Sequence, residues 1–214
     1  MVDIGGGSTE IVICEEGNII MAESIPFGSL NMLPGKTKRV LPDRLEYKRI
    51  KRLIKKELEK IEGMKELKYP VVVGVGGTIR ATARLNNEAF NLPDNNKEIP
   101  AKNIKNLIRY LISDETRSLD LILRVAPDRV RTLVYGMTIL WIIIRTFGCE
   151  KLLVSSLGVR EGYLLSKLLA GMKIEGRIPE IHELSGNIGL EQFPEVDVEL
   201  PEIQEKFASL IRNT

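Results

Sequence analysis

The sequence predicts an α/β domain built on a mixed five-stranded β-sheet with helices packed on it. Three observations lead to this prediction. The chain opens with three short apolar runs separated by turn residues, it then alternates strand-like with helix-like segments, and it twice passes from a strand through glycines into a helix. Its 214 residues are 43% hydrophobic, which is enough to bury a core of this size.

The first three strands are expected to form an antiparallel meander. Residues 2–4, 10–16 and 18–25 are rich in Val and Ile, and the turn residues Glu16-Gly17-Asn18 join the last two runs as a hairpin. The stretch Gly5-Gly6-Gly7-Ser8 separates the first two runs in the same way. The first run has about half the usual strand length, so we expect the chain to start inside an element.

The later elements follow from their apolar periodicity. Residues 43–61 carry a helical stripe, and the β-branched run at 71–75 is typical of a strand covered on both faces. Further helices are predicted at residues 78–86, from Pro100, from Pro127 to Phe147 and at 163–172, with a last strand at 151–156. The predicted order is β-β-β-α-β-α-α-α-β-α, with no element assigned to residues 112–126.

The domain is therefore expected to occupy residues 1–172. Residues 173–214 carry 4 Lys and Arg against 9 Asp and Glu, and the periodic pattern weakens there. We interpret them as an acidic C-terminal extension that packs on the domain or on a partner.

Composition narrows the possible functions. Two cysteines without metal-ligand spacing predict neither a disulfide framework nor a zinc site, and the absence of a signal peptide favours a cytoplasmic location. The apolar run at 132–148 is shorter than the ~20 residues of a membrane span, so we expect a core helix and no membrane partner. The net charge of +2 gives no overall field for nucleic acid.

Charge is nevertheless uneven along the chain. Residues 36–60 contain 11 Lys and Arg against 4 Asp and Glu. Such a segment indicates either an anionic partner or simply a solvated helix face.

Glycine turns at the ends of three strands form the candidate site. They are Gly5-Gly6-Gly7, Gly76-Gly77-Thr78 at the start of a helix, and Gly158 to Gly162. Successive N–H groups in such turns cradle anions, and turns at the carboxyl ends of strands in α/β sheets converge on one crevice. Each turn taken alone is equally compatible with a purely structural tight connection.

Charged residues flank these turns. Asp3 and Glu10 stand on either side of the first turn, and a phosphate beside two carboxylates needs a divalent cation, so the pattern predicts Mg²⁺ held by this pair. The alternative is that the carboxylates only accept hydrogen bonds from turn N–H groups. In the last turn Arg160 is predicted to hold a phosphate bidentately, or else to pair with Glu161 in a capping role.

Four stretches in this order, "DIGGGSTE", "VGVGGTIRATARL", "APDRVRTLVYGMTIL" and "VSSLGVREGYL", resemble the exopolyphosphatase / guanosine pentaphosphate phosphohydrolase (Ppx/GppA) family. The resemblance implies a ribonuclease-H-like lobe of the actin-like ATPase superfamily, β-β-β-α-β-α-β-α with extra helices. Members of this family remove the terminal phosphate of inorganic polyphosphate, or the 5′ γ-phosphate of guanosine pentaphosphate, with Mg²⁺ and an attacking water.

Matching positions imply roles for individual residues. Asp3 and Glu10 resemble the catalytic, metal-binding carboxylates of the second lobe. The phosphate loops that the resemblance implies comprise Gly5, Gly6, Gly7, Ser8 and Thr9 in the first turn and Gly76, Gly77 and Thr78 in the second.

Two departures from the family pattern qualify these roles. The first lobe, with its catalytic base, is absent, so we expect it to be the partner that activity requires. Where the family has G-x-x-R-L-T-E, this chain reads "FGSLNMLPGK", and Lys36, Lys38 and Arg39 are candidates to replace the missing arginine.

Two other functions remain open at this point. One is a non-catalytic lobe that binds polyphosphate or a phosphorylated guanosine nucleotide, or that assembles with another chain, including a homodimer. The other is a sugar-kinase-like or chaperone-like ATPase lobe, against which the "GVREG" stretch argues.

Overall fold

The computed structural model describes residues 1–16, 18–33, 39–64, 66–158 and 162. In this part of the chain a mixed six-stranded sheet carries helices on it. The strands are β1 Val2–Ile4, β2 Thr9–Glu15, β3 Asn18–Ile25, β4 Val71–Val75, β5 Glu98–Pro100 and β6 Lys151–Val154. The helices are α1 Arg44–Leu58, α2 Gly76–Phe90, α3 Ala101–Leu111, α4 Glu115–Val125 and α5 Leu133–Phe147.

The strand order β3-β2-β1-β4-β6-β5 places β1 and β4 at the centre of the sheet. The first three strands form the predicted antiparallel meander, whereas β1 pairs with β4 and β4 pairs with β6 in parallel. Asp3 lies opposite Val75 in the β1–β4 pair. This register brings the turn after β1 beside the start of α2, since both strands end at the same edge.

The prediction of five strands is wrong by one edge strand. β5 pairs antiparallel with β6, with Glu98 opposite Leu153 and Pro100 opposite Lys151. Three residues are too few to show an alternating pattern. Its last residue, Pro100, has no N–H to donate, which only an edge strand tolerates.

Two helices also differ from the prediction. α4 occupies residues to which no element was assigned, and Asp114 caps it by accepting a hydrogen bond from the N–H of Arg117 at 3.2 Å. The long helix does not begin at Pro127: a 3₁₀ turn covers Pro127–Arg129, and α5 starts only at Leu133. Ala126, just before this turn, has a non-helical φ of −153° and separates the turn from α4.

The core lies between the sheet and the helices, with α5 buried along nearly its whole length. The apolar run at 132–148 is thus a core helix, as predicted. α1 packs on α5 through Ile50, Ile54 and Leu58, and Asp43 caps α1 by accepting the N–H groups of Leu45 and Glu46 at 2.8 Å. No helix in the described ranges is long and apolar enough to cross a membrane.

The helix predicted at 163–172 and the acidic extension 173–214 lie outside the described residues. The domain boundary at residue 172 therefore stays a prediction.

Candidate active site

A cavity of 360 Å³ lies at the carboxyl ends of β1 and β4. Four separate segments line it: the first glycine turn, the segment after β3, the start of α2 and the chain before α5. The lining residues are Asp3, Ile4, Gly5, Gly6, Ser29, Leu30, Gly77, Asp128, Arg129 and Thr132. Two of the three glycine turns predicted to converge at this edge of the sheet thus line one cavity.

In the first glycine turn the carbonyl groups accept hydrogen bonds from the protein, whereas the two central N–H groups have no acceptor among the described residues. The N–H of Gly5 donates to the carbonyl of Ser8 at 3.0 Å and closes the turn. The carbonyls of Gly5, Gly6 and Gly7 all accept hydrogen bonds from the segment 28–31, at 2.9, 2.9 and 2.6 Å. Among the described residues, the N–H groups of Gly6 and Gly7 have no protein acceptor. Such a turn can bind an anion.

The segment 28–31 approaches the glycine turn at backbone contact distance. A Cβ atom on Gly28 would overlap the carbonyl of Gly6 and the amide nitrogen of Gly7. Asn31 fixes the segment further, because its Nδ2 donates to the carbonyls of Gly7 and Pro26 while its Oδ1 accepts the N–H of Gly28 at 2.8 Å. This stretch holds the turn through hydrogen bonds to its carbonyls.

Of the three basic residues suggested as replacements for the family arginine, the structure describes Arg39, which is not among the residues that line this cavity. Arg39 pairs with Glu115 of α4, with its Nε 3.4 Å from the carboxylate. Lys36 and Lys38 lie outside the described residues.

Asp3 and Glu10 face each other across the β1–β2 pair. Asp3 lines the cavity, whereas Glu10 lies beside it and accepts hydrogen bonds from the hydroxyls of Ser8 at 2.5 Å and Ser24 at 3.1 Å. Burial raises the pKa of Asp3, the charge of Glu10 raises this pKa further, and Arg80 acts in the opposite direction. A carboxylate whose charge is disfavoured by burial and by a second carboxylate can be neutralised by a hard cation bound between the two.

A larger all-protein metal centre is absent from this part of the chain. No group of three or more His, Cys, Asp or Glu side chains suited to a metal occurs among the residues described. A cation at Asp3 and Glu10 would therefore complete its coordination with ligand oxygens and water, as Mg²⁺ ordinarily does.

The second glycine turn is shaped by close approach. Gly76 has a φ of +87°, and a Cβ there would lie 2.5 Å from Oδ1 of Asp3. A Cβ on Gly77 would overlap the guanidinium group of Arg129. A side chain at Gly76 is therefore excluded by its positive φ and by Asp3, whereas a side chain at Gly77 would have to displace the end of the Arg129 side chain. The N-terminus of α2, which has no side-chain cap, begins between a carboxylate and a guanidinium group.

Several residues that the sequence assigned to phosphate binding have other contacts in the structure. Thr9 and Thr78 are buried, and their hydroxyls donate to the carbonyls of Phe27 at 2.7 Å and Ile4 at 3.2 Å. Both threonines thus tie backbone segments together beneath the cavity. Gly7 is exposed beside the lining residues. Arg160 lies outside the described residues.

Sequence reasoning missed the cation of the cavity. Arg129 is 32% exposed, and its Nε lies 3.4 Å from the carboxylate of Asp128. From the sequence, "APDRV" is expected to form the first turn of a helix, where a pair of opposite charges does not indicate a binding site. A proline and two charges before a long apolar helix could have indicated a separate turn, but nothing local indicates that Gly77 lies beneath it.

Comparison with known proteins gives consistent likenesses. Residues 1–170 match the sequence model of the Ppx/GppA phosphatase family. A Haemophilus influenzae protein provisionally named an exopolyphosphatase is 29% identical over 170 residues, which are 78% of this chain and 51% of that protein. The match therefore spans about half the length of this relative.

Solved structures agree with the sequence match. The crystal structure of the Aquifex aeolicus Ppx/GppA family member is 29% identical, with a TM-score of 0.64 over 79% of this chain and 56% of the other. An exopolyphosphatase from Cytophaga hutchinsonii shares the fold at 17% identity, with a TM-score of 0.65 over 82% of this chain and 58% of that one.

Proposed function

Because this chain belongs to the Ppx/GppA phosphatase family, we propose that it is the second lobe of a Mg²⁺-dependent phosphoanhydride hydrolase. The substrate would be inorganic polyphosphate or guanosine pentaphosphate, from which the enzyme removes the terminal phosphate. The similarity to the Haemophilus influenzae protein named an exopolyphosphatase supports the polyphosphate side of this proposal.

One observation carries the proposal: a glycine turn with N–H groups that have no protein acceptor in the described chain, a carboxylate and a guanidinium group meet at one cavity. Phosphate oxygens accept hydrogen bonds from Gly6 and Gly7, and Arg129 supplies a positive charge that can bind two oxygens at once. Donors fixed at the position where charge develops are the main means by which proteins stabilise phosphoryl transfer.

Asp3 and Glu10 fit the role of cation ligands. Asp3 is in the cavity, and Oε1 of Glu10 accepts the two serine hydroxyls, so Oε2 carries no hydrogen bond from the described residues. A bound Mg²⁺ would supply neutralisation of phosphate charge and lower the pKa of a coordinated water. Without a cation, a phosphate would meet two carboxylates of its own sign.

The cavity offers few groups that could accept the proton of an attacking water. Asp3 and Asp128 are the two ionisable acids among its lining residues in the described chain, and Asp128 pairs with Arg129. We therefore assign the base and part of the phosphate cage to a first lobe. The lobe described here is expected to bind phosphate chains but to release phosphate slowly or not at all without that partner.

Binding and turnover test the proposal separately. Calorimetry with tripolyphosphate is expected to show Mg²⁺-dependent binding that falls at least about tenfold in Asp3→Asn, because charge-assisted contacts are each worth roughly 1.5–3 kcal/mol. Asp120→Asn is the matched control, since this exposed carboxylate of α4 lies on another surface. A phosphate-release assay on long polyphosphate is expected to give the background rate for this chain.

Two results would contradict the proposal. Tripolyphosphate binding that is independent of Mg²⁺ and equal in both variants would remove the role given to Asp3. Rapid phosphate release by this chain, lost in Asp3→Asn, would show that one lobe suffices.

The shortage of proton acceptors also favours a second candidate, a non-catalytic polyphosphate-binding lobe. Binding without hydrolysis in the natural full-length protein would favour this candidate over the enzyme.

A further inference from the structure

One helix presents a strongly basic surface away from the candidate active site. We define the basic face of α1 as its six exposed cations: Arg44, Lys48, Arg49, Arg52, Lys55 and Lys56. Their spacing of three or four residues aligns them along one side of a helix about 22 Å long. The helix thus carries a continuous row of positive charge.

This row is not neutralised by the rest of the described chain. None of the six cations forms an ion pair with a described residue. The acids within α1, Glu46 and Glu57, are partly buried, and Glu57 pairs with Lys60. Glu59, just after the helix, is exposed and lines the same cavity as Lys55, so it offsets part of the charge at that end only. Six like charges on one surface repel one another at a cost, which an anionic ligand would relieve.

The helix runs from the active-site end of the domain to a second cavity. Burial and the nearby charges of Glu46 and Asp43 raise the pKa of Tyr135, in the first turn of α5, so the start of α1 lies beside this turn. The chain just before the turn lines the active-site cavity. At the other end, Lys55 of α1 shares a 200 Å³ cavity with Arg145 of α5. The two helices therefore run side by side in the same direction.

The distal cavity extends the row of cations. Its lining includes a third cation, Lys68, which donates from Nζ to the carbonyl of Thr146 at 2.7 Å, and one acid, Glu59, so the cavity carries three positive charges against one negative charge. Arg145 lies over the ring of Trp141 with its Cζ 5.9 Å from the ring centroid, which restrains its position. Positive charge thus continues from α1 onto the neighbouring elements.

We propose that the basic face of α1 binds the distal part of a linear polyphosphate chain whose terminal phosphate occupies the active-site cavity. The inference rests on the function proposed above and selects long polyphosphate over guanosine pentaphosphate as the ligand that uses the whole surface. A nucleotide is too short to cover both the cavity and the helix.

The chemistry of α1 distinguishes this ligand from other polyanions. Single-stranded nucleic acids bind through aromatic stacking as well as charge, and the basic face carries no aromatic residue. Membrane-surface helices insert an apolar face into lipid, but the apolar face of α1 is packed on α5. A row of cations with only Leu45 exposed among them suits a ligand made of phosphate alone.

Two triple variants test the proposal. Lys48→Gln/Arg52→Gln/Lys55→Gln removes three charges from the basic face. Lys102→Gln/Lys105→Gln/Arg109→Gln removes the same residue types from the exposed side of α3. Glutamine keeps helix propensity in both, and circular dichroism checks that both variants fold.

Long-chain polyphosphate and tripolyphosphate are the probes, with Kd measured at several salt concentrations. For the α1 variant we expect a loss of about tenfold or more for the long chain. The slope of log Kd against log salt should fall by about 2, as for three lost phosphate contacts on a flexible strand. Tripolyphosphate affinity should stay within about twofold of the wild type, and the α3 variant should lose little for either probe.

Each other outcome is informative. Equal losses in the two variants would overturn the α1 site and leave the proposed function standing, because net charge alone would explain the binding. Absence of polyphosphate binding by the wild-type chain would overturn both. Tight binding of poly(U) that is lost only in the α1 variant would overturn the assignment to polyphosphate.

Discussion

Gly136→Ala is expected to separate α2 from α5 and to destabilise the domain. A Cβ atom at this position would overlap Cγ2 of Thr78 and lie 3.4 Å from Cβ of Ser29. Thr78 cannot simply rotate away, because its hydroxyl donates to the carbonyl of Ile4 at 3.2 Å. The clash therefore falls between α2, which begins at the active-site cavity, and α5, which follows directly on a lining residue of that cavity.

The size of the effect follows from two opposing contributions. Overpacking a core costs about 1–3 kcal/mol, whereas alanine in place of glycine inside a helix recovers up to about 1 kcal/mol. The free energy of unfolding should thus fall by roughly 1–2 kcal/mol. For a chain of this size, that change lowers the melting temperature by about 2–8 °C.

Urea unfolding followed by circular dichroism measures this change, and a second substitution identifies its cause. Thr78→Ser removes Cγ2 but keeps the hydroxyl that bonds Ile4. The double variant should therefore recover most of the loss, with a coupling energy of about 1 kcal/mol. Gly7→Ala is the control, because a Cβ there has no neighbour within 4 Å.

Two results would refute the reasoning. A Gly136→Ala protein as stable as the wild type would mean that helix propensity outweighs the contact between α2 and α5. A loss of stability that Thr78→Ser does not relieve would mean that the clash lies elsewhere.

Three further predictions concern the cavity and the cysteines. Burial raises the pKa of Asp3 in the folded state, so the free energy of unfolding falls as pH rises from the pKa of the unfolded chain through that of the folded chain. Asp3→Asn should therefore raise the urea midpoint at pH 7 and change it less at pH 3. Equal midpoints for the two proteins at pH 7 would contradict this prediction. Gly77→Ala should displace only the guanidinium end of Arg129, so tripolyphosphate affinity should fall about tenfold while the free energy of unfolding changes by less than about 1 kcal/mol. A loss of affinity accompanied by an equal loss in the free energy of unfolding would refute this prediction. Burial raises the pKa of Cys149 to about 11, so iodoacetamide at pH 8 should label exposed Cys14 alone in the native protein, as mass spectrometry would show.

Elements with strong local signals were predictable from the sequence. α1 was recognised because its stripe of buried residues is long and Asp43 caps it. α4 has the same length as α3 and a capping Asp114, but its only buried apolar residues are Leu121 and Ile122, so its apolar stripe is too short to predict a helix. β5 was not predictable, since three residues acquire strand character only by pairing with β6.

The residues of the candidate site likewise divide into those that a local sequence motif indicates and those that it does not. Asp3 and the glycines stand in one continuous motif, so the sequence identified them together. The side chain of Thr9 lies on the buried face of β2 with Ile11 and Ile13, and that alternation was already visible in the sequence. Arg129 reaches the cavity from more than a hundred residues away, and no local pattern indicates which glycine it covers.

The hydrogen bonds from the segment 28–31 to the first glycine turn have a consequence for binding thermodynamics. Because the carbonyls of Gly5, Gly6 and Gly7 already accept hydrogen bonds, the turn has its binding conformation before an anion binds. The ordering entropy has been lost at folding, and little of it is subtracted from the binding free energy. Loosening Asn31 would therefore weaken affinity through the fraction of molecules whose turn is competent, with every ligand contact unchanged.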